Sequence, residues 1–248
     1  MNKETLDKMR QMRLWGMYEA FRTNLDGSIR ETLTPDQFIA LLVNSEWDDR
    51  KNKTINRLLK QANFRYKASV EQLDYSVERG LDKNEVHRLA SLDFIKEHKD
   101  LFITGSTGTG KSYLATALGF HACQMGYKVL YASTAKLMGQ LKLAKAKGTN
   151  LAELKRIERT DLLILDDFGL QPFDSQGRVA LLDIIEDRHG KRSMIITSQI
   201  PVKEWYDVIG EKTIADAVLD RIVHQSLRVE LFGESLRRRK SVKDSVYL

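Results

Sequence analysis

The chain has 248 residues, a single cysteine and 42% hydrophobic residues, enough to bury about 73% of its unfolded surface and to form one to two domains without a disulfide or metal staple. One cysteine, Cys123, excludes an internal disulfide and any cysteine-based zinc cluster, and it reads as a small buried apolar residue. The start carries Lys3, Glu4, Asp7, Lys8 and Arg10 in place of an apolar signal core, and no apolar run is long enough to cross a bilayer, so a cytoplasmic protein with no membrane partner is expected.

Basic residues exceed acidic ones, 40 − 34 = +6, and the excess is unevenly spread. Leu14, Met17, Tyr18, Phe21 and Leu25 recur at spacings of three and four, which predicts a helix ending near Gly27 with that stripe inward. Thr34, Pro35 and Asp36 supply an N-cap, a first-turn proline and a dipole-matched acid for a second helix, with Phe38, Leu41 and Leu42 inward and Trp47 packed beside them. Seven bases follow without an acid, Arg50, Lys51, Lys53, Arg57, Lys60, Arg65 and Lys67, opposite a stripe of Ile55, Leu58, Leu59 and Ala62. That is an amphipathic cationic helix.

After about residue 100 short apolar runs alternate with helical segments: 101–104, 129–132, 162–165, 194–197 and 227–231. Such alternation predicts an α/β fold with a parallel sheet. Thr134, Ser175 and Thr213 are expected as N-caps, Pro201 in a first turn and Gly190 just past a helix end.

Gly105-Ser106-Thr107-Gly108-Thr109-Gly110-Lys111-Ser112 fits G-x-x-x-x-G-K-[ST] between an apolar run and an apolar helix. The glycines let successive amides face phosphate oxygens, the helix adds its positive end, Lys111 reaches the β- and γ-phosphates, and Ser112 can ligate Mg²⁺. ATP or GTP is the expected ligand. Leu162 to Leu165 leads into Asp166-Asp167, and a buried strand ending in two carboxylates calls for a cation. Asp166 is read as holding the metal or its water shell, and Asp167 as orienting and partly deprotonating the attacking water. A later run ends in Thr197-Ser198-Gln199, a polar strand end able to sense the γ-phosphate.

These motifs, with Leu219-Asp220-Arg221-Ile222, Gly233-Glu234-Ser235-Leu236-Arg237 and the stretch Asn56-Arg57-Leu58-Leu59-Lys60-Gln61-Ala62-Asn63-Phe64, resemble the IstB/DnaC-like branch of the AAA+ ATPases. The basic stretch is similar to the one preceding the ATPase core of IstB proteins, the ATP-dependent helpers of insertion-sequence transposases. The resemblance implies ATP with Mg²⁺ as ligand, a five-stranded P-loop AAA+ core over residues 71–248, and a small all-helical domain over 1–70 for DNA binding and assembly. It places the sensor strand between the P-loop strand and the Asp-Asp strand, with ATP at subunit interfaces of a homo-oligomer. It assigns Arg221 as an arginine finger, Gln199 as first sensor and Arg237 as a second-sensor arginine that binds nucleotide. Many AAA+ proteins have glutamate where Asp167 stands and asparagine where Gln199 stands, and the shorter acid implies slow turnover.

Arg50 to Lys67 is the most concentrated candidate for a DNA-backbone contact. Lys136, Lys142, Lys145 and Lys147, read as a helix or pore-like loop, and Arg237 to Lys240 are weaker ones. The expected function is an ATPase that assembles on duplex DNA and assists the transposase of the same insertion element in target selection. A DnaC-like helicase loader, a metabolite kinase and a nucleotide-gated scaffold are the alternatives. His87, His98, His121, His189 and His224 lack spacing suited to a metal.

Overall fold

The structure is a computed structural model that describes residues 1–26, 33–76, 78–224 and 226–236. They divide into two compact units, Met1–Arg57 and Leu58–Leu248.

The first unit holds α1 (Asn2–Gln11), α2 (Trp15–Asp26) and most of α3 (Pro35–Ala62). Arg13, in the left-handed region at φ 58°, separates α1 from α2. The expected cap of α3 forms as a reciprocal box: the Gln37 amide donates to Thr34 Oγ1 at 3.3 Å, and the Thr34 amide donates to Gln37 Oε1 at 2.9 Å. Helices α2 and α3 approach closely at Gly16, where a Cβ would lie 2.2 Å from the Ser45 carbonyl oxygen. Beside it the buried Glu46 carboxylate accepts the Gly16 and Met17 amides at 2.9 and 3.3 Å, satisfying orphan donors in the first turn of α2.

Three expectations of packing are corrected. Glu46 faces α2, and successive helical residues point about 100° apart, so Trp47 is turned outward and is 70% exposed. Leu25 and Leu41 are likewise exposed, because three helical segments leave the outer sides of α2 and α3 uncovered within this unit. Met17, Tyr18, Phe21 and Phe38 are half-buried. Gly27 lies outside the described residues. The cationic helix is not separate: it is the second half of α3, which stops at Ala62 and leaves Arg65 and Lys67 beyond it. Ile55, Leu58, Leu59 and Ala62 are its covered side.

The second unit contains α4 (Lys83–Ala90), α5 (Asp93–Lys96), β1 (Leu101–Gly105), α6 (Lys111–Gln124), β2 (Val129–Ser133), α7 (Thr134–Ala146), α8 (Asn150–Glu158), β3 (Leu162–Phe168), α9 (Ser175–Arg188), β4 (Ser193–Ser198), a 3₁₀ turn (Val202–Glu204), α10 (Trp205–Ile209), α11 (Lys212–Val223) and β5 (Leu227–Leu231). The strands are parallel in the order β2-β3-β4-β1-β5. The sensor strand β4 thus lies between the P-loop strand β1 and the Asp-Asp strand β3. Strands covered on both faces read as continuous apolar runs, and two apolar layers supply that cover. One joins Leu58 and Ala62 to α4, α6 and the β1 residues Leu101 and Ile103; the other joins Phe102 to α7, α9, α10 and α11. Cys123 is fully buried in the first layer, which pushes its thiol up to about 12.

Three predicted N-caps are displaced. Asp174, not Ser175, caps α9 by accepting the Gly177 amide, and Glu211, not Thr213, caps α11 by accepting the Thr213 and Ile214 amides. A carboxylate competes well for these sites because its charge also meets the helix dipole. Thr134 is already inside α7, and its hydroxyl donates to the Asp166 carbonyl at 3.0 Å. Gly190 does follow α9 as expected, in the left-handed region at φ 66°.

Candidate nucleotide site

Strand β1 ends at Gly105, and α6 opens at Lys111 behind the left-handed Gly110, so the six-residue turn 105–110 is the predicted P-loop. Gly108 has φ 83°, and a Cβ there would meet Ser235 Oγ at 2.1 Å, so neither conformation nor space admits a side chain. Lys111 Nζ donates to the Gly105 and Ser106 carbonyl oxygens, each at 2.7 Å, which stretches the largely buried side chain back along the loop.

Asp166 is 1% exposed at the end of β3. Three hydroxyls converge on its carboxylate: Ser112 donates to Oδ1 at 2.8 Å, Thr197 also donates to Oδ1, and Tyr131 donates to Oδ2. The β3–β4 pairing slips between Leu165 and Phe168. A bulge of this kind re-aims side chains beside functional sites, and here it frees the Asp166-Asp167 pair from the regular ladder. Asp167 sits in the left-handed region at φ 58°, and its amide donates to Thr197 Oγ1 at 3.1 Å. A residue other than glycine in that region stores strain on the order of 1 kcal/mol. Gln199, just past β4, accepts from Thr107 Oγ1 at 2.5 Å, so the strand end touches the P-loop.

The segment after β5 closes the other side. The Leu236 amide donates to the Gly108 carbonyl at 3.0 Å, and Ser106 Oγ donates to the Gly233 carbonyl at 3.4 Å. Arg237 to Lys240 lie outside the described residues.

The IstB-like ATP binding protein model matches residues 7–244. This chain belongs to the IstB-like family. It is 43% identical over 239 residues to the insertion sequence ATP-binding protein y4pL of Sinorhizobium fredii, covering 96% of this chain and 98% of that one. It is 29% identical to the ATP-binding protein of insertion sequence IS21 from Pseudomonas aeruginosa over 90% of this chain and 84% of that one. Among solved structures it superposes on DnaI with a TM-score of 0.57 at 22% identity, covering 68% and 90% of the two chains. The match to AMPPCP-bound DnaA from Aquifex aeolicus has a TM-score of 0.58 at 22% identity, over 75% and 56%. These last two likenesses speak to fold alone, and the family makes this chain an ATP-binding ATPase.

In this IstB-like chain the structure gathers residues 105–112, Asp166, Asp167 and Gln199 into one site, and Arg221 is not among them. Arg221 lies near the end of α11, where its guanidinium pairs with Glu186 at 2.9 Å and donates to the Ala217 carbonyl at 2.7 Å. It lines a small cavity with His98, Asp100, His189, Arg192 and Met194, beside the starts of β1 and β4 and so at the end of the sheet opposite the P-loop.

Of the basic run, Arg50 pairs with Glu46 and Lys53 with Asp49, each at 2.7 Å and one turn back along α3. The sequence run is free of acids, yet its first turn borrows two from the residues before it. Lys136, Lys142 and Lys145 of the second basic cluster lie in α7 and Lys147 is its C-cap; Leu137 and Leu141 are buried while Leu143 is 62% exposed, and Lys142 pairs with Asp174 at 2.8 Å.

Sequence reasoning missed Arg79 and Tyr131. Arg79 is buried behind the P-loop, donating from Nη1 to the Thr109 carbonyl and from Nη2 to the Asp74 carbonyl, both at 2.8 Å. Burial holds its pKa below the usual arginine range, with Asp74 pulling the other way. Its guanidinium also fills the space a Cβ on Gly110 would need, at 2.4 Å from Nη1. Nothing local in the sequence marks it apart from other arginines. Tyr131 is hidden inside the apolar run of β2, and only the adjacency of β2 to β3 brings it to Asp166.

The donor set suits Mg²⁺. Ser112 Oγ and the Asp166 carboxylate are hard oxygens already 2.8 Å apart, and Mg²⁺ is bound through one or two protein oxygens plus phosphate and water. Among the described residues no group of three or more His, Cys, Asp or Glu side chains forms a metal site. No described helix is long and apolar enough to cross a membrane.

Proposed function

We propose that this protein is an ATP-dependent DNA-binding ATPase that assembles on duplex DNA and helps a transposase of its own element select target sites. The observation that carries the nucleotide part is the contact of Ser112 with Asp166 beneath the P-loop. In this reading the amides of residues 105–112 and the Lys111 ammonium bind the phosphates, and Ser112 and Asp166 hold Mg²⁺. Bound Mg²⁺ neutralises charge on the phosphate oxygens. Asp167 orients the attacking water and accepts its proton, and Gln199 reports the γ-phosphate to β4. Arg221, remote from its own P-loop, serves the site of a neighbouring subunit, where its planar fork stabilises the transferring phosphoryl group. Arg237 would contact the nucleotide from the carboxy-terminal side.

The transposition part is supported by the insertion-sequence names of the relatives and by the bases Arg50, Lys51, Lys53, Arg57, Lys60, Arg65 and Lys67 over the boundary between amino-terminal and ATPase regions. Light scattering in four conditions tests it: no ligand, ATP with Mg²⁺, duplex DNA, and both. Large assemblies are expected only with both, and the Lys111→Ala variant should form none. Assembly that prefers single-stranded DNA would favour the helicase-loader alternative, and a persistent monomer would refute the proposal.

A further inference from the structure

Three hydroxyls donate to the Asp166 carboxylate. Ser112 on α6 accounts for one contact, and it is the contact that the Mg²⁺ reading uses. The other two come from elsewhere: the Tyr131 hydroxyl from β2 to Oδ2 and the Thr197 hydroxyl from β4 to Oδ1. The β2–β3 register explains the first. Ser133 pairs with Asp166 and Tyr131 with Ile164, so Tyr131 lies two residues back on the adjacent strand and shares a face with Asp166. The ring is clamped in the first apolar layer, with the Phe64 ring centroid 6.2 Å away.

A donor on Oδ2 has a geometric consequence. It fixes the rotation of the carboxylate about its own axis and so aims Oδ1 at Ser112. Thr197 adds a second restraint from the sensor strand, and because its oxygen also accepts the Asp167 amide, it links the positions of both acids. Outer partners of this kind orient a ligand and typically change metal affinity by about 10- to 100-fold when removed.

We propose that Tyr131 and Thr197 are positioning residues that preset the Asp166 carboxylate for the divalent cation of bound nucleotide. This rests on the reading that Ser112 and Asp166 hold that cation. The test uses the full chain saturated with a non-hydrolysable ATP analogue, with Mn²⁺ titrated and followed by electron paramagnetic resonance, and analogue affinity measured separately in EDTA. Tyr131→Phe, which removes one oxygen and keeps the ring, should weaken Mn²⁺ binding about tenfold or more while analogue affinity in EDTA stays within about twofold. Thr197→Ser should behave as wild type, and Thr197→Val should lose Mn²⁺ affinity, which provides a second readout should the Tyr131 variant fold poorly. Wild-type Mn²⁺ affinity in both Tyr131→Phe and Thr197→Val, with Asp166→Asn impaired, would overturn the positioning role alone. Wild-type affinity in Asp166→Asn as well would overturn the cation reading beneath it. Equal losses with and without metal would mean that the hydroxyls merely support the fold.

Discussion

Asp100, immediately before β1, should set a measurable pH dependence of stability. Its carboxylate accepts the Met194 amide at 2.8 Å and its carbonyl accepts the Leu227 amide at 2.8 Å, so it ties the start of β1 to β4 and β5. Burial raises its carboxyl pKa to about 7, against the opposing pulls of the Met194 amide and the Arg188 guanidinium. An aspartate in the unfolded chain titrates near about 3.9. Between these values the folded state keeps a proton that the unfolded state has released, so this group's stabilisation is complete below the lower value and is lost as pH rises through the upper one. A span of roughly three units at 1.36 kcal/mol each gives up to about 4 kcal/mol. Asp100→Asn keeps an acceptor for the Met194 amide and removes the titration. Urea unfolding between pH 5 and 8 should show wild type losing stability relative to Asp100→Asn as pH rises. Taking the difference between the two proteins cancels contributions from groups remote from Asp100. Parallel curves over that range would refute the buried-carboxyl argument.

Three further perturbations address the site. Gly108→Ala must relieve both φ 83° and a 2.1 Å approach to Ser235 Oγ; fluorescent-nucleotide titration should show at least a tenfold loss of ATP affinity, with an unfolding free energy lower by about 1 to 2 kcal/mol. Arg221→Ala should bind ATP as wild type but hydrolyse it roughly 10³-fold more slowly, and mixing it with Lys111→Ala, which keeps its own Arg221, should restore some phosphate release; unchanged turnover by Arg221→Ala alone would remove the finger assignment. Replacing Arg57 and Lys60 by glutamine should flatten the salt dependence of duplex binding by about 0.9 in log–log slope for each lost phosphate contact, with nucleotide binding unaffected; an unchanged slope would put the DNA contact elsewhere.

What the sequence made legible were the features whose causes are local. The P-loop is written in eight consecutive residues because its function is a backbone shape, and the parallel strands show themselves because burial on both faces leaves continuous apolar runs. The caps were less legible: Ser175 and Thr213 have the right chemistry, but Asp174 and Glu211, one and two positions earlier, offer a charged acceptor that wins. The outward turn of Trp47 is not legible locally, because its helical face depends on what α2 needs from Glu46, a contact between residues 30 apart. The role of Arg188 is hidden for the same reason. Fully buried, it spreads its guanidinium over the carbonyls of Ile157, Thr160 and Ser193, where desolvation lowers its pKa to about 10. No residue nearby in sequence announces that so many carbonyls will point at one place.

The two carboxylates illustrate how the fold turns similar residues to different work. Asp166 and Asp167 are neighbours of the same type, so sequence alone separates their roles only by analogy. The slip in the β3–β4 ladder separates them physically: Asp166 stays buried under three hydroxyls, while Asp167 is carried onto a strained left-handed backbone and is partly exposed. The first environment suits a fixed cation ligand and the second a base that must reach water. Thr197 holds the two together, and it sits two residues before Gln199, which touches Thr107 of the P-loop. If Gln199 senses the γ-phosphate as proposed, its displacement would act on a strand that is already hydrogen-bonded to both acids. If Asp167 is the proton acceptor, its side chain is one methylene shorter than a glutamate's, and turnover should then depend strongly on how β4 is set. That dependence is what an ATPase needs if hydrolysis is to wait for an assembled neighbour.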